Sequence, residues 1–188
     1  MFFALWPDAP WCSRLIAAAA PVLDAAGGRV LAQVDLHVTL CFLGAVNETQ
    51  HAALCVRAGR IEAASFELEF ERLELWREAG IVAATVARVP PAAVVLAQAL
   101  AIAAGEVGLA PDPKPWQPHL TLMRGLTARR LAAQPLPARG ADDAWPALRL
   151  TLPVARFYLA ESQGLGAQAE AGAEVRRYAM LASWPLRP

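Results

Sequence analysis

His37-Val38-Thr39-Leu40 and His119-Leu120-Thr121-Leu122 are one tetrapeptide pattern written twice in the same chain. Each copy alternates polar and apolar residues, and on a strand that alternation puts His and Thr on one side and the aliphatic residues on the other. Such a strand offers an imidazole and a hydroxyl to a cleft and an apolar edge to a core. Two of them related by duplication would turn their imidazoles towards each other. A lone histidine on a strand is more often a hydrogen-bonded structural residue. Two in matching positions, in a chain with three histidines in all, are not accounted for by coincidence.

The surroundings of the two copies match as well. Before the first, residues 2–6 form a short apolar run closed by Pro7, suited to a buried strand. Asp8 can cap a helix from about 10 to 26, with Leu15, Ile16, Ala19, Val22 and Leu23 on one stripe and Gly27-Gly28 ending it. The first His strand then runs over 34–43 and stops at Gly44. Asn47 with Gln50 resembles a capping box and predicts a helix over 48–63. Residues 65–77 alternate at first and predict a half-buried strand with Phe66, Leu68 and Phe70 inward.

The second copy repeats this order. After a turn at Ala79-Gly80 come a β-branched strand over 81–89 and an Ala-rich helix opened by Pro90-Pro91 and ending near Gly105 or Gly108. A Pro-rich approach over 111–118 delivers the second His strand, 119–124. Thr127 is placed to cap a short helix to about 133; an irregular stretch over 134–146, a strand over 148–160 and a last strand over 174–184 follow. The expected fold class is α+β: two duplicated βαβαβ units, about 1–78 and 80–188, in one bilobal domain spanning 1–188. Helices would cover the outer faces of two antiparallel sheets, whose concave faces form a central cleft.

The hydrophobic fraction, 56 %, is inflated by alanine and fits a globular protein long enough to bury a sizeable core. Net charge is zero, so no bulk field draws the protein onto long nucleic acid, and any contact with a polynucleotide must be local and short. Arginine supplies every basic residue except Lys114, and its planar fork suits phosphate, although an Arg- and Ala-rich composition also reflects genome base content. Cys12, Cys41 and Cys55 make an odd count without CxxC spacing, which argues for a reducing compartment. Pro7 and Asp8 interrupt the apolar N-terminus before a signal-peptide core can form, and no apolar run reaches membrane-spanning length. A cytoplasmic protein, a monomer with no membrane association, is expected.

Two imidazoles with pKa values of about 6.5 can stand one protonated and one neutral near neutral pH. That pair suits in-line displacement at phosphorus, where a base takes a proton from the attacking oxygen and an acid gives one to the leaving oxygen. Thr39 and Thr121, each on the same strand face as its histidine, can donate to a non-bridging phosphate oxygen as charge gathers on it. Phe42 and Trp116 could stack on a base, though either also serves as core or rim packing.

Leu36-His37-Val38-Thr39-Leu40-Cys41-Phe42-Leu43-Gly44 and Trp116-Gln117-Pro118-His119-Leu120-Thr121-Leu122-Met123-Arg124 resemble the paired signatures of the two-histidine phosphoesterases, and most closely the bacterial RNA 2′,3′-cyclic phosphodiesterase family, also called 2′-5′ RNA ligase. The resemblance extends from the N-terminal Phe-Phe-Ala-Leu run to Tyr178-Ala179-Met180-Leu181. It implies a bilobal fold with pseudo-twofold symmetry and hydrolysis of a 2′,3′-cyclic phosphate to a 2′-phosphate, without metal or other cofactor. It also implies that His37 protonates the departing 3′ oxygen, that His119 activates water, and that Thr39, Thr121 and Arg124 hold the phosphate. The motifs are nearly symmetric, so the acid and base can be exchanged. Strict strand parity puts Arg124 opposite His119, so it needs a strand end or a bulge to reach the cleft. Cys41, on the His37 face by the same parity, and Gln117 stand where the family often has basic residues, and Met123 where a smaller one is usual. A short oligonucleotide or a nucleotide therefore fits better as substrate than a long RNA tract, with an RNA terminus as the general partner.

Other classes fare less well. A metal hydrolase would need His37, His51 and His119 with a carboxylate, but no HxH, HxxxH or HExxH spacing is present. An ATP-dependent ligase would need Lys114, which lies in a Pro-rich turn, so any ligation would be the reverse of cyclic phosphate opening. The strongest rival is a nucleotide-binding module of the same fold with little turnover, and a phosphoesterase for another small cyclic phosphate is a third reading.

Overall fold

The computed structural model describes residues 1–127, 148–163 and 177–188. In chain order the elements are β1 (Phe2–Leu5), α1 (Ala9–Ala26), β2 (Arg29–Val30), a 3-10 turn (Gln33–Asp35), β3 (Val38–Phe42), α2 (Glu48–Ala58), β4 (Phe66–Trp76), β5 (Ile81–Val86), α3 (Pro91–Glu106), β6 (His119–Arg124), β7 (Leu150–Val154), β8 (Arg156–Ser162) and β9 (Tyr178–Pro185). The expected helix from Thr127 to 133, the irregular 134–146 stretch and the first residues of the 174–184 strand lie outside the described residues.

Local chemistry sets the helix ends. The Asp8 carboxylate accepts from the Trp11 amide at 2.8 Å, and Gly27 closes α1 in the left-handed region at φ 63°, its amide donating to the Leu23 carbonyl. Asn47 and Gln50 form the reciprocal capping box that starts α2. That helix ends at Ala58, short of the expected 63. The strand expected over 148–160 is two strands, β7 and β8, which separate at Ala155 and pair with different neighbours. The first His strand begins at Val38, so His37 stands just ahead of it.

The α+β class is as expected, but the sheet arrangement is corrected. Instead of two separate sheets, the strands among the described residues make one nine-stranded sheet in the order β7-β4-β5-β6-β3-β1-β8-β9, with β2 beside β6. The nine strands pair antiparallel throughout, and the two His strands meet each other at one residue pair, Val38 with Leu120, beside the two pairs that join β2 to β6. The order is palindromic about that seam. Each His strand has at its side the strand that opens its own unit, β1 or β5, and beyond that a strand, β8 or β4, that follows the other His strand or its helix.

The helices crowd one face of this sheet. α3 packs against β3 and α2, and α1 against β6, so each His strand is backed by a helix. Phe3 and Leu5 of β1 join that helix-side core together with Val38, Leu120, Leu15, Leu54, Leu96 and Leu100, all essentially fully buried. Phe2 and Ala4, one residue out of step, cluster with Ala160, Trp6 and Tyr178 on the opposite face. That opposite face carries the site. Trp11 ties α1 to the sheet, donating from Nε1 to the Thr151 carbonyl at 2.8 Å and packing edge-on to Phe70.

Truncation should separate the two sides of α3. Leu96→Ala, at a fully buried position, should cost about 2–5 kcal/mol in denaturant unfolding, while Val95→Ala on the exposed side should stay within about 0.5 kcal/mol. Equal effects would contradict the packing described.

Candidate active site

Val38 and Leu120 point into the core, so their neighbours His37, Thr39, His119 and Thr121 project from the other face, around the seam. Both histidines are held in the same way. The Nδ1–H of His37 donates to the Asp35 carbonyl at 2.7 Å, and that of His119 to the Gln117 carbonyl at 2.9 Å. A carbonyl can only accept, so each contact requires the proton on Nδ1. In the neutral ring the basic lone pair is then on Nε2.

The two rings differ in their walls. His37 stacks on Trp6 with centroids 4.8 Å apart, meets the edge of Tyr178 at 4.8 Å and lies 5.0 Å from Phe2. Burial among these rings pushes its pKa down to about 4; the Asp35 carbonyl bond opposes the shift, and the positive charges of Arg124 and His119 add to it. His119 has the indole of Trp76 at 4.5 Å, tilted by 47°.

Two bulges decide what else reaches this face. Between β1 and β3 the register changes from Ala4↔Thr39 to Phe3↔Cys41, so β3 carries one extra residue at Leu40. Between β5 and β6 it changes from Ala83↔Thr121 to Val82↔Met123, so β6 carries one at Leu122, the same place relative to its histidine. Beyond each bulge the faces exchange. Cys41 is therefore in the core opposite Phe3, buried and with its thiol pushed up to about 11, and not on the His37 face that parity predicted. Met123 is likewise a core residue and does not widen the site wall. Phe42, 65 % exposed, turns to the site face beside Phe2, and Arg124 turns there in the equivalent position.

Thr39 and Thr121 each face an alanine on the next strand, Ala4 and Ala83. Trp116 is a strut: its Nε1 donates to the Thr39 carbonyl at 2.8 Å while its ring packs on the core, so it is not a stacking platform. Lys114 is exposed in the Pro-rich turn, and His51 pairs with Cys55 within α2, away from the other histidines. Among the described residues no cluster of three or more His, Cys, Asp or Glu side chains could hold a metal ion.

Sequence reasoning missed Trp6, Tyr178, Trp76 and Asp35. The Asp35 carboxylate, 1 % exposed, accepts from the Arg177 amide at 2.9 Å and so anchors the start of β9, where Tyr178 meets His37. The bulges had a signal in the sequence: in both copies two apolar residues in a row, Leu40-Cys41 and Leu122-Met123, interrupt the two-residue alternation.

With this geometry in view, comparison with known proteins is decisive at the family level. The model of the 2′-5′ RNA ligase superfamily matches residues 7–164. The chain belongs to this superfamily. It is 32 % identical over 124 residues to the RNA 2′,3′-cyclic phosphodiesterase of Escherichia coli (strain K12), covering 66 % of this chain and 70 % of that protein. Among solved structures, a phosphoesterase superposes with a TM-score of 0.81 at 26 % identity over 100 % of this chain and 97 % of that one. LigT of E. coli in complex with 3′-AMP superposes with 0.78 at 27 % identity, over 98 % and 96 %. LigT has also been crystallised with ATP and with NADP+. This superfamily membership points to a hydrolase. Among the described residues no helix is long and apolar enough to cross a membrane.

NMR titration of the imidazoles tests the asymmetry of the walls. His37 should titrate at about 4, and Trp6→Ala, by restoring water to the ring, should raise that value towards the ordinary ~6.5. A His37 that titrates near 6.5 in the unaltered protein would contradict the burial described.

Proposed function

We propose that the protein is a metal-independent cyclic phosphodiesterase that opens a 2′,3′-cyclic phosphate, on an RNA terminus, a short oligonucleotide or a nucleotide, to a 2′-phosphate. The observation that carries this reading is the matched pair of Nδ1–H bonds to the Asp35 and Gln117 carbonyls, which prepares two Nε2 atoms for proton transfer beside one seam. A neutral imidazole takes a proton from water as the water oxygen attacks phosphorus. The bond from phosphorus to the 3′ oxygen breaks, and the other imidazolium gives that oxygen its proton. Thr39, Thr121 and Arg124 hold the non-bridging oxygens as charge accumulates. With a 5′-hydroxyl in place of water, the same steps form a 2′-5′ linkage.

The packing supports His37 as the base and His119 as the acid, the reverse of the roles the family resemblance first implied. Rings around His37 favour its neutral form, which is the form a base needs. The kcat/KM profile, which reports the free enzyme, should then hold its acidic limb below the usual imidazole range, and Trp6→Ala should move that limb to higher pH. Phe42, exposed on the site face, suits a nucleobase. The palindromic strand order supports two pseudo-repeats, about 1–78 and 80–188, in one two-lobed unit, and we expect it to act as a monomer. The rival reading, a nucleotide-binding module with little turnover, draws support from the ATP and NADP+ complexes of LigT.

A panel of cyclic phosphates followed by phosphorus NMR separates these. Turnover of nucleoside 2′,3′-cyclic phosphates to 2′-phosphates in the presence of a chelator is expected, and His37→Ala and His119→Ala should each lower the rate by about 10²- to 10⁴-fold. The double variant should be little worse than either, because the two act as a unit. Binding without turnover would favour the module, and 3′-phosphate products would refute the assigned leaving group.

A further inference from the structure

A second arginine stands beside Arg124. β2 is only two residues long, yet it pairs with β6 so that Arg29 is directly opposite Arg124 and Val30 opposite Met123. The Leu31 amide extends the contact by donating to the Leu122 carbonyl at 2.9 Å. Directly opposed residues of an antiparallel pair project from the same face, and for Arg124 that is the site face. Gly28 makes this approach possible: a Cβ there would lie 2.7 Å from Met123 Sδ and 3.0 Å from the Arg124 carbonyl. The glycine pair ending α1 thus has two uses. Gly27 caps the helix and Gly28 lets β2 lie against β6.

Like charges directly opposite one another repel. Both arginines are exposed, and among the described residues neither has a carboxylate within ion-pair distance to relieve the repulsion. An anion between or beside the two guanidinium groups would relieve it. Arg124 acts electrostatically on His37 and is assigned here to the reacting phosphate, whereas Arg29 stands across from it on β2, on the side of β6 away from β5 and beyond the end of β3. A nucleotide with a 2′,3′-cyclic phosphate carries its next phosphate on the 5′ oxygen, one sugar away. We propose that Arg29 forms a second anion subsite that binds the 5′-side phosphate of the substrate nucleotide, so that the protein prefers a phosphate-bearing nucleotide or RNA 3′ end to a bare nucleoside cyclic phosphate.

This rests on the reading of the central site, but its test can be made by binding alone. Isothermal titration with adenosine 2′-phosphate and with adenosine 2′,5′-bisphosphate measures what the 5′-phosphate adds, and a dinucleotide ending in a 2′-phosphate tells a free nucleotide from an RNA chain as its source. The bisphosphate should bind about 10- to 100-fold more tightly than the monophosphate, the range of a charge-assisted hydrogen bond. In Arg29→Ala and Arg29→Gln that ratio should fall to about one, and Arg29→Lys should restore part of it. Equal affinities in the unaltered protein, or a ratio unchanged in both neutral variants, would overturn the subsite. Should the cyclic phosphates prove not to be turned over, the hydrolase reading falls while this ratio still decides the role of Arg29.

Discussion

The site depends on one cross-strand pair, Val38 with Leu120, at the middle of the sheet. A single pair supplies little hydrogen bonding, so the relation between the two His strands rests on what packs beneath them. Both side chains are fully buried in the helix-side core, where α3 backs β3 and α1 backs β6. Hydrophobic burial on one face therefore sets the spacing of polar groups on the other. The imidazoles do not need to bond to each other. Each is oriented by a backbone carbonyl two residues earlier in its own chain segment, a device that needs no particular side chain at positions 35 or 117.

The matching bulges add a second layer of order. By inserting Leu40 and Leu122, they bring the fifth residue after each histidine, Phe42 or Arg124, onto the site face, where strict alternation would have sent it into the core. The two halves then diverge in what they present: Phe42 from one, Arg124 from the other. An aromatic surface and a guanidinium in equivalent places on either side of a seam suit a ligand with a base at one end and phosphate at the other. Among the described residues the walls diverge in the same way: Phe2, Trp6 and Tyr178 lie around His37, and the Trp76 indole lies beside His119. A nearly symmetric frame thus holds two imidazoles in unlike surroundings.

Much of this was legible beforehand because it is local. Asp8, Gly27 and the Asn47/Gln50 capping box mark helix ends through contacts within a few residues, and the two His-x-Thr copies carry their own alternation. Arg124 shares the His119 face only on condition of a bulge, and a bulge lies at Leu122. What escaped reading is non-local. Trp6 and Tyr178 meet His37 from two distant parts of the chain, and the Asp35 carboxylate, although only two residues away, acts through a long-range bond from the Arg177 amide, so no short-range pattern reveals them. The misplacement of Cys41 has a single cause, the assumption of unbroken two-residue periodicity through Leu40-Cys41. The single continuous sheet was hidden because its central join consists of one pair between the His strands and two between β2 and β6, contacts that no sequence periodicity encodes.

The central claim is that His37 and His119 act on one phosphate from opposite sides. A crystal structure with adenosine 2′-phosphate bound tests it most directly. The account predicts Nε2 of both histidines within about 2.7–3.2 Å of oxygens on the same phosphate group, with the Thr39 and Thr121 hydroxyls donating to it and both Nδ1 bonds to the backbone intact. A phosphate held by one histidine alone, or bound elsewhere on the protein with the two rings unengaged, would contradict it.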